Sequence, residues 1–396
     1  MRMMKSTRLA FALMLSLASV AGLSASPFIF EPMQFPSARM SALGGMHAAL
    51  ADDISVLMSN PAGFRSAPPQ ISIAELTTNL SGPIFSIADV VFRIAGGTSP
   101  TSLLLEPDVQ NLLTSLYAGA TIGGPIALGY IGDGLGFGFF NSTGMTFATE
   151  GTVPTVTTTM KEDLLFVAGY GFRIPLADRL QSTLDFGFSV KAFSRASVEW
   201  SESILSFFSL LTSPSPSDFL NQPFTLDVGF GFDAGALYAW NKTISVGLVA
   251  RNLYSPVARN AYTSVNAFTS GAASTTSYGI APLDLALGVV YTPRLGFLES
   301  YLSNPKLMLD YGDMIDFWTH PDTASNPVLH FGLGAEVTLL DVLALRAGFG
   351  DGYFSAGLGL NLTAVHLDLS MFGTELSGQP GLRPSYNLIM STSFRY

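Results

Sequence analysis

Four histidines are the first residues to test for chemistry in this 396-residue chain. His47, His320, His330 and His366 share no spacing that would set two imidazoles on one face as metal ligands. No Gly-x-Ser-x-Gly nucleophile elbow is present, so a hydrolase triad has no attacking group of that kind. His366 and Asp368 do share one face of a strand, where a carboxylate can orient an imidazole. A pair merely satisfied in a protein interior reads the same way. Asp310, Asp313 and Asp316 could face a cation, but they lack the spacing of a calcium loop and read as solvated acids. Gly132, Gly134, Gly136 and Gly138 mimic a phosphate loop, yet their strict period of two sets them on one inner strand face, where they free volume. No catalytic residue, metal or cofactor is expected.

Composition points away from chemistry altogether. The chain is 48% hydrophobic and 12% charged, with mean hydropathy +0.39. That is roughly half the charge of an average soluble domain. One long apolar run, 9–23, lies at the N-terminus; the next, 204–211, is far short of the roughly 20 residues a spanning helix needs. A polytopic helical membrane protein is therefore excluded. The net charge of −10 argues against a nucleic-acid partner, which would need a basic surface. Arg2, Lys5 and Arg8, then the apolar stretch and Ser24-Ala25-Ser26, read as a cleaved signal peptide over 1–25. With no cysteine, the exported chain has neither disulfides nor a thiol to acylate.

An exported, apolar chain without spanning helices has one way through a bilayer. Every backbone polar group must be paired in lipid, which leaves a closed β-barrel. The pattern agrees. Leu226, Val228, Phe230 and Phe232 alternate with Asp227, Gly229, Gly231 and Asp233, and Phe224 with Thr225 opens the same series. Leu184, Phe186, Phe188 and Val190 alternate with Asp185, Gly187, Ser189 and Lys191. Val365, Leu367, Leu369 and Met371 alternate with His366, Asp368 and Ser370. Charges fall on the minority face, the reverse of a soluble sandwich. The last strand ends on Phe394 and Tyr396, similar to the C-terminal signal that bacterial outer-membrane barrels present to the barrel-assembly machinery. An aromatic girdle against outer-membrane lipid gives the same location.

Strands are expected near 70–80, 84–94, 117–131, 134–148, 161–175, 181–200, 223–240, 243–254, 280–293, 304–315, 327–339, 341–350, 352–361, 363–375 and 384–396. Long connections alternate with short turns, except that 351 is too short for an outer loop and 294–303 too long for a turn. The count is odd where a single-chain barrel is even, so one assignment is wrong. The weakest is 117–131, interrupted by Gly123-Gly124-Pro125. Two outer loops have helical pieces with apolar faces, one including Leu112 and Leu116, the other Phe207 and Phe208. They either cap the mouth or contact a ligand.

Residues 26–69 do not alternate. Gly44-Gly45 lets backbone pass close to a neighbour, Asp52-Asp53 offers acceptors at a helix start near 53–58, and Pro61 holds Asn60 extended. About 14 strands enclose a ring roughly 28 Å across, too wide for side chains alone to fill, and this compact segment is the obvious plug.

The run Ser37-Ala-Arg-Met-Ser-Ala-Leu-Gly-Gly, Ala-Leu-Ala-Asp-Asp and Asn-Pro-Ala-Gly63 resembles the N-terminal motif of the FadL-type long-chain fatty acid transporter superfamily, closest in flavour to its spirochaete and Bacteroidetes relatives. Ala344-Leu-Arg-Ala-Gly-Phe and Ser-Ala-Gly-Leu-Gly-Leu360 resemble the penultimate strands of the same proteins. The resemblance implies an all-β, transmembrane antiparallel barrel of about 14 strands over 70–396, with an N-terminal hatch over 26–69 inside the lumen. The hatch motif falls on Gly44, Gly45, Asp52, Asp53, Asn60, Pro61 and Ala62. A lateral opening at a kinked third strand falls on Gly123, Gly124 and Pro125. The implied function is passive uptake of long-chain fatty acids or other hydrophobic molecules. The alternative is a non-transporting scaffold or secretion-system partner. Low overall charge and abundant Phe further suggest a lumen with few charges.

Overall fold

The computed structural model describes residues 27–396, except 104, 115, 151–154, 204–219, 272, 320, 322 and 323. Its core is a closed antiparallel barrel of 14 strands, each hydrogen-bonded to its neighbours in sequence order. They are β1 (Gln70–Ser81), β2 (Tyr117–Gly132), β3 (Leu135–Glu150), β4 (Thr155–Ile174), β5 (Ser182–Ser203), β6 (Phe224–Trp240) and β7 (Ile244–Tyr254, continued by Pro256–Tyr262). The ring continues through β8 (Thr275–Ile280, continued by Asp284–Tyr291), β9 (Leu302–Tyr311), β10 (Phe331–Leu339), β11 (Leu343–Gly350), β12 (Tyr353–Leu362), β13 (Val365–Glu375) and β14 (Pro384–Arg395). It closes where β14 pairs with β1, and the backbone of Tyr396 exchanges two hydrogen bonds with Ile71.

Alternation decides which way each side chain points. Phe188, Val190, Phe232, Leu367, Leu369 and Met371 are exposed outside, whereas Asp185, Ser189, Asp227, Asp233, Asp368 and Ser370 are buried inside. The outer surface is thus an apolar belt of the kind that faces hydrocarbon. Phe224 departs from this series: it is buried, against Tyr262 and Phe268, in the part of the wall nearest the long loops.

One expected strand is a helix. Residues 84–94 lie in α4 (Ile84–Ala95), counted after α1 (Ala38–Ala42), α2 (Val56–Ser59) and α3 (Gly63–Ser66) in the N-terminal segment. Ile87, Val90 and Ile94 recur at helical spacing and pack with Leu103, Val109 and Leu116. A segment this rich in apolar residues satisfies period 2 and period 3.6 together. The interrupted segment 117–131, the weakest by sequence, is a genuine strand. Without a strand at 84–94, β1 runs from the short-turn end to the long-loop end, and β2 is the second strand rather than the third. The region between 254 and 280 is also less open than expected, because the continuations of β7 and β8 pair across it.

The wall is uneven. β5 has 22 residues and β4 has 20, while β11 has 8 and β10 has 9. The height steps down between β8 and β9, where β9 reaches only Leu287–Tyr291 of its neighbour. Above that step a free strand edge is left, and the two-residue strand Phe28–Ile29 pairs with it in parallel.

Candidate functional site

The segment 27–69 packs inside the ring and touches strands on every side. Gly44 has φ +81°, and a Cβ there would sit 2.4 Å from the Phe349 carbonyl oxygen and 2.5 Å from that of Leu333. The backbone of this segment therefore lies directly on β10 and β11. Asn60, held extended before Pro61, donates from Nδ2 to the Ala48 carbonyl (2.7 Å), and its Oδ1 accepts from the Ala62 N–H (3.0 Å). It rests against Gly235 of β6, where a Cβ would strike its Oδ1. Ala62 is fully buried, and the Pro61 carbonyl abuts Gly187. Gly136 and Gly138 leave the room that Phe64 and Leu57 occupy. Gly45 has φ +127° but open space beside it.

Asp53 accepts the Ser55 N–H at 2.9 Å just ahead of the helix, which begins at Val56 rather than 53, but the strongest partner of Asp52 and Asp53 lies elsewhere. They meet Arg39, which donates to Asp52 at 2.9 and 2.7 Å, to Asp53 at 2.9 Å and to Glu336 of β10 at 2.9 and 2.6 Å. Lys306 joins Asp52 and Glu336, Arg346 joins Glu336 and Asp368, and Arg395 joins Asp53 and Glu75. Four cations and five carboxylates thus form one buried network between the N-terminal segment and six strands. Burial alone would push the Asp52 and Asp53 carboxyls up; the Arg39 guanidinium outweighs it and holds both below the usual carboxylate range. A second anchor joins His47 to β9. Its Nδ1 lies 2.5 Å from Asp310, which also accepts the Ala48 N–H at 2.6 Å, and its Nε2 lies 3.0 Å from the Leu43 carbonyl oxygen. Asp310 is therefore a buried anchor, not a solvated acid.

The expectation of a lumen with few charges is overturned. Asp163 and Arg195, Arg173 and Asp185, Asp227 and Arg259, and Arg251 and Asp284 stand opposite one another in register and form ion pairs on the inner wall. The Phe residues are divided: Phe137, Phe166, Phe188 and Phe232 are exposed on the outer belt, while Phe30, Phe64 and Phe193 are buried within. His366 and Asp368 do not pair with each other: His366 Nδ1 lies 3.0 Å from Asn361 Oδ1, while Asp368 accepts from Arg346.

The second feature is a fault in the wall. Between Gly123 and Ala127, β2 takes four residues where β3 advances two, and between Ser72 and Thr77 the pairing of β1 with β2 lapses. Inside, Gly123 and Gly124 are buried; outside, Pro125 and Ile126 are exposed. The Asn141 side chain accepts the Ile126 N–H at 3.1 Å in place of a strand neighbour. This is the double inward, double outward step of a bulge. Behind it lies a pocket of about 80 Å³, lined by Phe35, Pro36, Met40, Met58 and Phe140 among others, and also by Arg39, Asp53, Glu75 and Arg395. On the long-loop side of the N-terminal segment a larger cavity, about 940 Å³, is walled by both apolar and charged residues.

Neither a protein-family model nor a curated protein sequence matches the chain. Solved structures do. The toluene transporter TodX of Pseudomonas putida is 15% identical with a TM-score of 0.48, covering 91% of this chain and 98% of that one. The monoaromatic hydrocarbon channel CymD is 12% identical with a TM-score of 0.45, over 89% of this chain and 95% of the other. A FadL homologue of Pseudomonas aeruginosa is 14% identical with a TM-score of 0.43, over 94% and 99%. At such identities and TM-scores the likeness carries no role over to this chain.

The remaining expected residues lie elsewhere. Leu112 and Leu116 pack with α4 and Val109 and do not line either cavity. Phe207 and Phe208 fall outside the described residues, as does the expected signal peptide. Phe394 and Tyr396 are exposed at the short-turn end of the seam. Sequence reading missed the network partners Arg39, Lys306, Glu336, Arg346, Arg395 and Glu75. The signal available was parity: Glu336, Arg346 and Asp368 all fall on inward positions of neighbouring strands.

Proposed function

We propose that the chain is an outer-membrane channel for passive uptake of hydrophobic molecules, long-chain fatty acids among them. In this reading residues 26–69 are a hatch, and the fault at Gly123, Gly124 and Pro125 is a lateral opening toward lipid. The observation that carries it is the lapse of hydrogen bonding on both sides of one strand, backed by a pocket with apolar and charged walls and rimmed outside by exposed Ile122, Ile126 and Leu76. An oily molecule leaving there meets hydrocarbon rather than water. The motif around Gly44, Gly45, Asp52, Asp53, Asn60, Pro61 and Ala62, with its FadL-type resemblance, supports the same reading.

Vesicles carrying the purified chain should take up labelled oleate or smaller apolar compounds faster than empty vesicles. Deleting Gly124 and Pro125, which lets β2 run in step with β3, should abolish the difference. Equal uptake with and without protein would end the channel reading. A non-transporting scaffold remains the second reading, favoured by the nine-member network that fastens the plug. A large envelope complex that co-purifies with the chain, without any uptake, would support it.

A further inference from the structure

The wall has a second fault, on β7. Between Ala250 and Tyr254, β7 takes four residues where β6 advances two, between Ala234 and Phe232. On its other side, β7 pairs with β8 as far as Arg251 and Asp284 and resumes at Pro256 and Ile280. Arg251 and Asn252 both line the cavity of about 940 Å³, whereas Leu253 and Tyr254 are both exposed outside. Asn252 makes the turn between them with φ +57°. This is the same double inward, double outward step as at Gly123-Gly124-Pro125. The next strand is weak at the same height: residues 281–283 interrupt β8, and β9 does not reach it beyond Leu287.

Side chains close this gap where the ladder lapses. The Asn252 N–H donates to Asp233 Oδ1 at 2.8 Å, and its Nδ2 donates to the Pro282 carbonyl at 3.1 Å. Its Oδ1 accepts from Lys191 at 2.9 Å, and Lys191 pairs with Asp233 at 2.9 Å. One asparagine thus bridges β5, β6 and the break in β8. Such a side chain can turn away by a rotamer change, which a ladder of backbone bonds cannot. Trp240 and Tyr291, both exposed and both opposite Ile244, mark the short-turn interface. From Ile244 to Tyr254 a strand tilted about 40° climbs roughly 25 Å, the height of the hydrocarbon band. Tyr254 therefore stands at the opposite interface, at the depth of lipid headgroups. Lys191, Arg251 and Asp284 face a polar head from within, and exposed Leu253, Tyr254, Ile280 and Leu283 face an apolar tail from without. A lapse of two residues, about 7 Å long, suits one alkyl chain.

We propose that the β7 fault is a second side entrance, through which single-chain amphiphiles pass from the leaflet on the long-loop side into the large cavity, and that Asn252 is its latch. The entrance is distinct from the fault on β2 and holds whether or not cargo goes on to cross the membrane.

The experiment places one thiol at a time in the full chain, which has no cysteine of its own, in lipid nanodiscs. N-hexadecylmaleimide, held in the bilayer, serves as the amphiphile, and N-ethylmaleimide normalises for the reactivity of each thiol. Ala281→Cys lies on the cavity side of the gap, and Thr374→Cys lines the same cavity from β13, three strands from β2 and six from β7. The alkyl reagent should label Ala281→Cys severalfold faster than Thr374→Cys. Adding Asn252→Ala, which removes both side-chain bonds of the latch, should raise the rate at Ala281→Cys about tenfold and leave Thr374→Cys unchanged. Equal rates at the two positions, faster labelling of Thr374→Cys, or an Asn252→Ala change without effect would each overturn the proposal. If Asn252→Ala does not assemble into a heat-modifiable barrel, the comparison of the two positions decides alone. Labelling in the expected pattern without oleate uptake would defeat the channel reading and leave the entrance standing; uptake with equal labelling would do the reverse.

Discussion

Replacing Arg39 with Met should release the plug while leaving the barrel closed. Arg39 makes five hydrogen bonds to three carboxylates, on the plug and on β10, and its side chain is 12% exposed. Without it, Lys306, Arg346 and Arg395 face five carboxylates in a poorly solvated lumen. Breaking a buried pair by removing one partner costs about 3–5 kcal/mol. At about 1.4 kcal/mol per tenfold, docking would weaken by a factor of roughly 10²–10³ or more. None of this touches the strand ladder, so heat-modifiable mobility on a denaturing gel should be retained. Planar-bilayer recordings should show a rise in conductance, and limited proteolysis should reach the peptide bonds of 27–69. Adding Glu336→Gln and Asp52→Asn to Arg39→Met should recover part of the loss, because it leaves three cations against three carboxylates. Wild-type conductance and wild-type protease resistance in Arg39→Met would refute the assignment of the network as the plug's fastening.

Deleting residues 27–64 should likewise raise conductance, and an unchanged pore would mean that the segment does not obstruct the lumen. Leu369→Arg should cost about 2–4 kcal/mol of folding stability measured in lipid, because Leu369 is exposed on the outer face near the middle of β13; a neutral result would reverse the face assignment. Gly187→Val should undock the plug at Pro61, where even a Cβ would lie 2.2 Å from the carbonyl oxygen, and a protease-resistant variant would count against the close approach. Acid should act late. The Asp52 and Asp53 carboxyls lie below their unfolded value of about 3.9, so their contribution is fully present above that pH and is lost only as pH falls through the depressed folded values. Conductance should therefore stay constant from pH 7 to pH 4.5, and a rise within that window would contradict the pairing.

The barrel was legible because its cause is local. Period-two alternation in β5, β6 and β13 assigns an inside and an outside residue by residue, with no knowledge of the partner strand. Helix α4 was not legible for the same reason: Ile84, Ile87, Val90, Val91 and Ile94 are dense enough to match either period. The fault at Gly123-Gly124-Pro125 could be read as an interruption, but not as a two-residue slip, because register is a property of two strands. The fastening network was invisible. Arg39 and Glu336 are separated by 297 positions, and only the closing of the ring brings them together. The misreading of the lumen followed directly, since low total charge says nothing of where the charges gather.

The seam carries one further consequence, for the order of assembly. Arg395 stands at the end of β14, beside the join with β1, and reaches both Glu75 of β1 and Asp53 of the plug. A ring zipped shut over an empty interior would bury that guanidinium with one carboxylate instead of two, and would leave Glu336 without Arg39. The final join is therefore most favourable when the first residues to arrive are already seated. The last strand in effect inspects the first segment before it locks the cylinder.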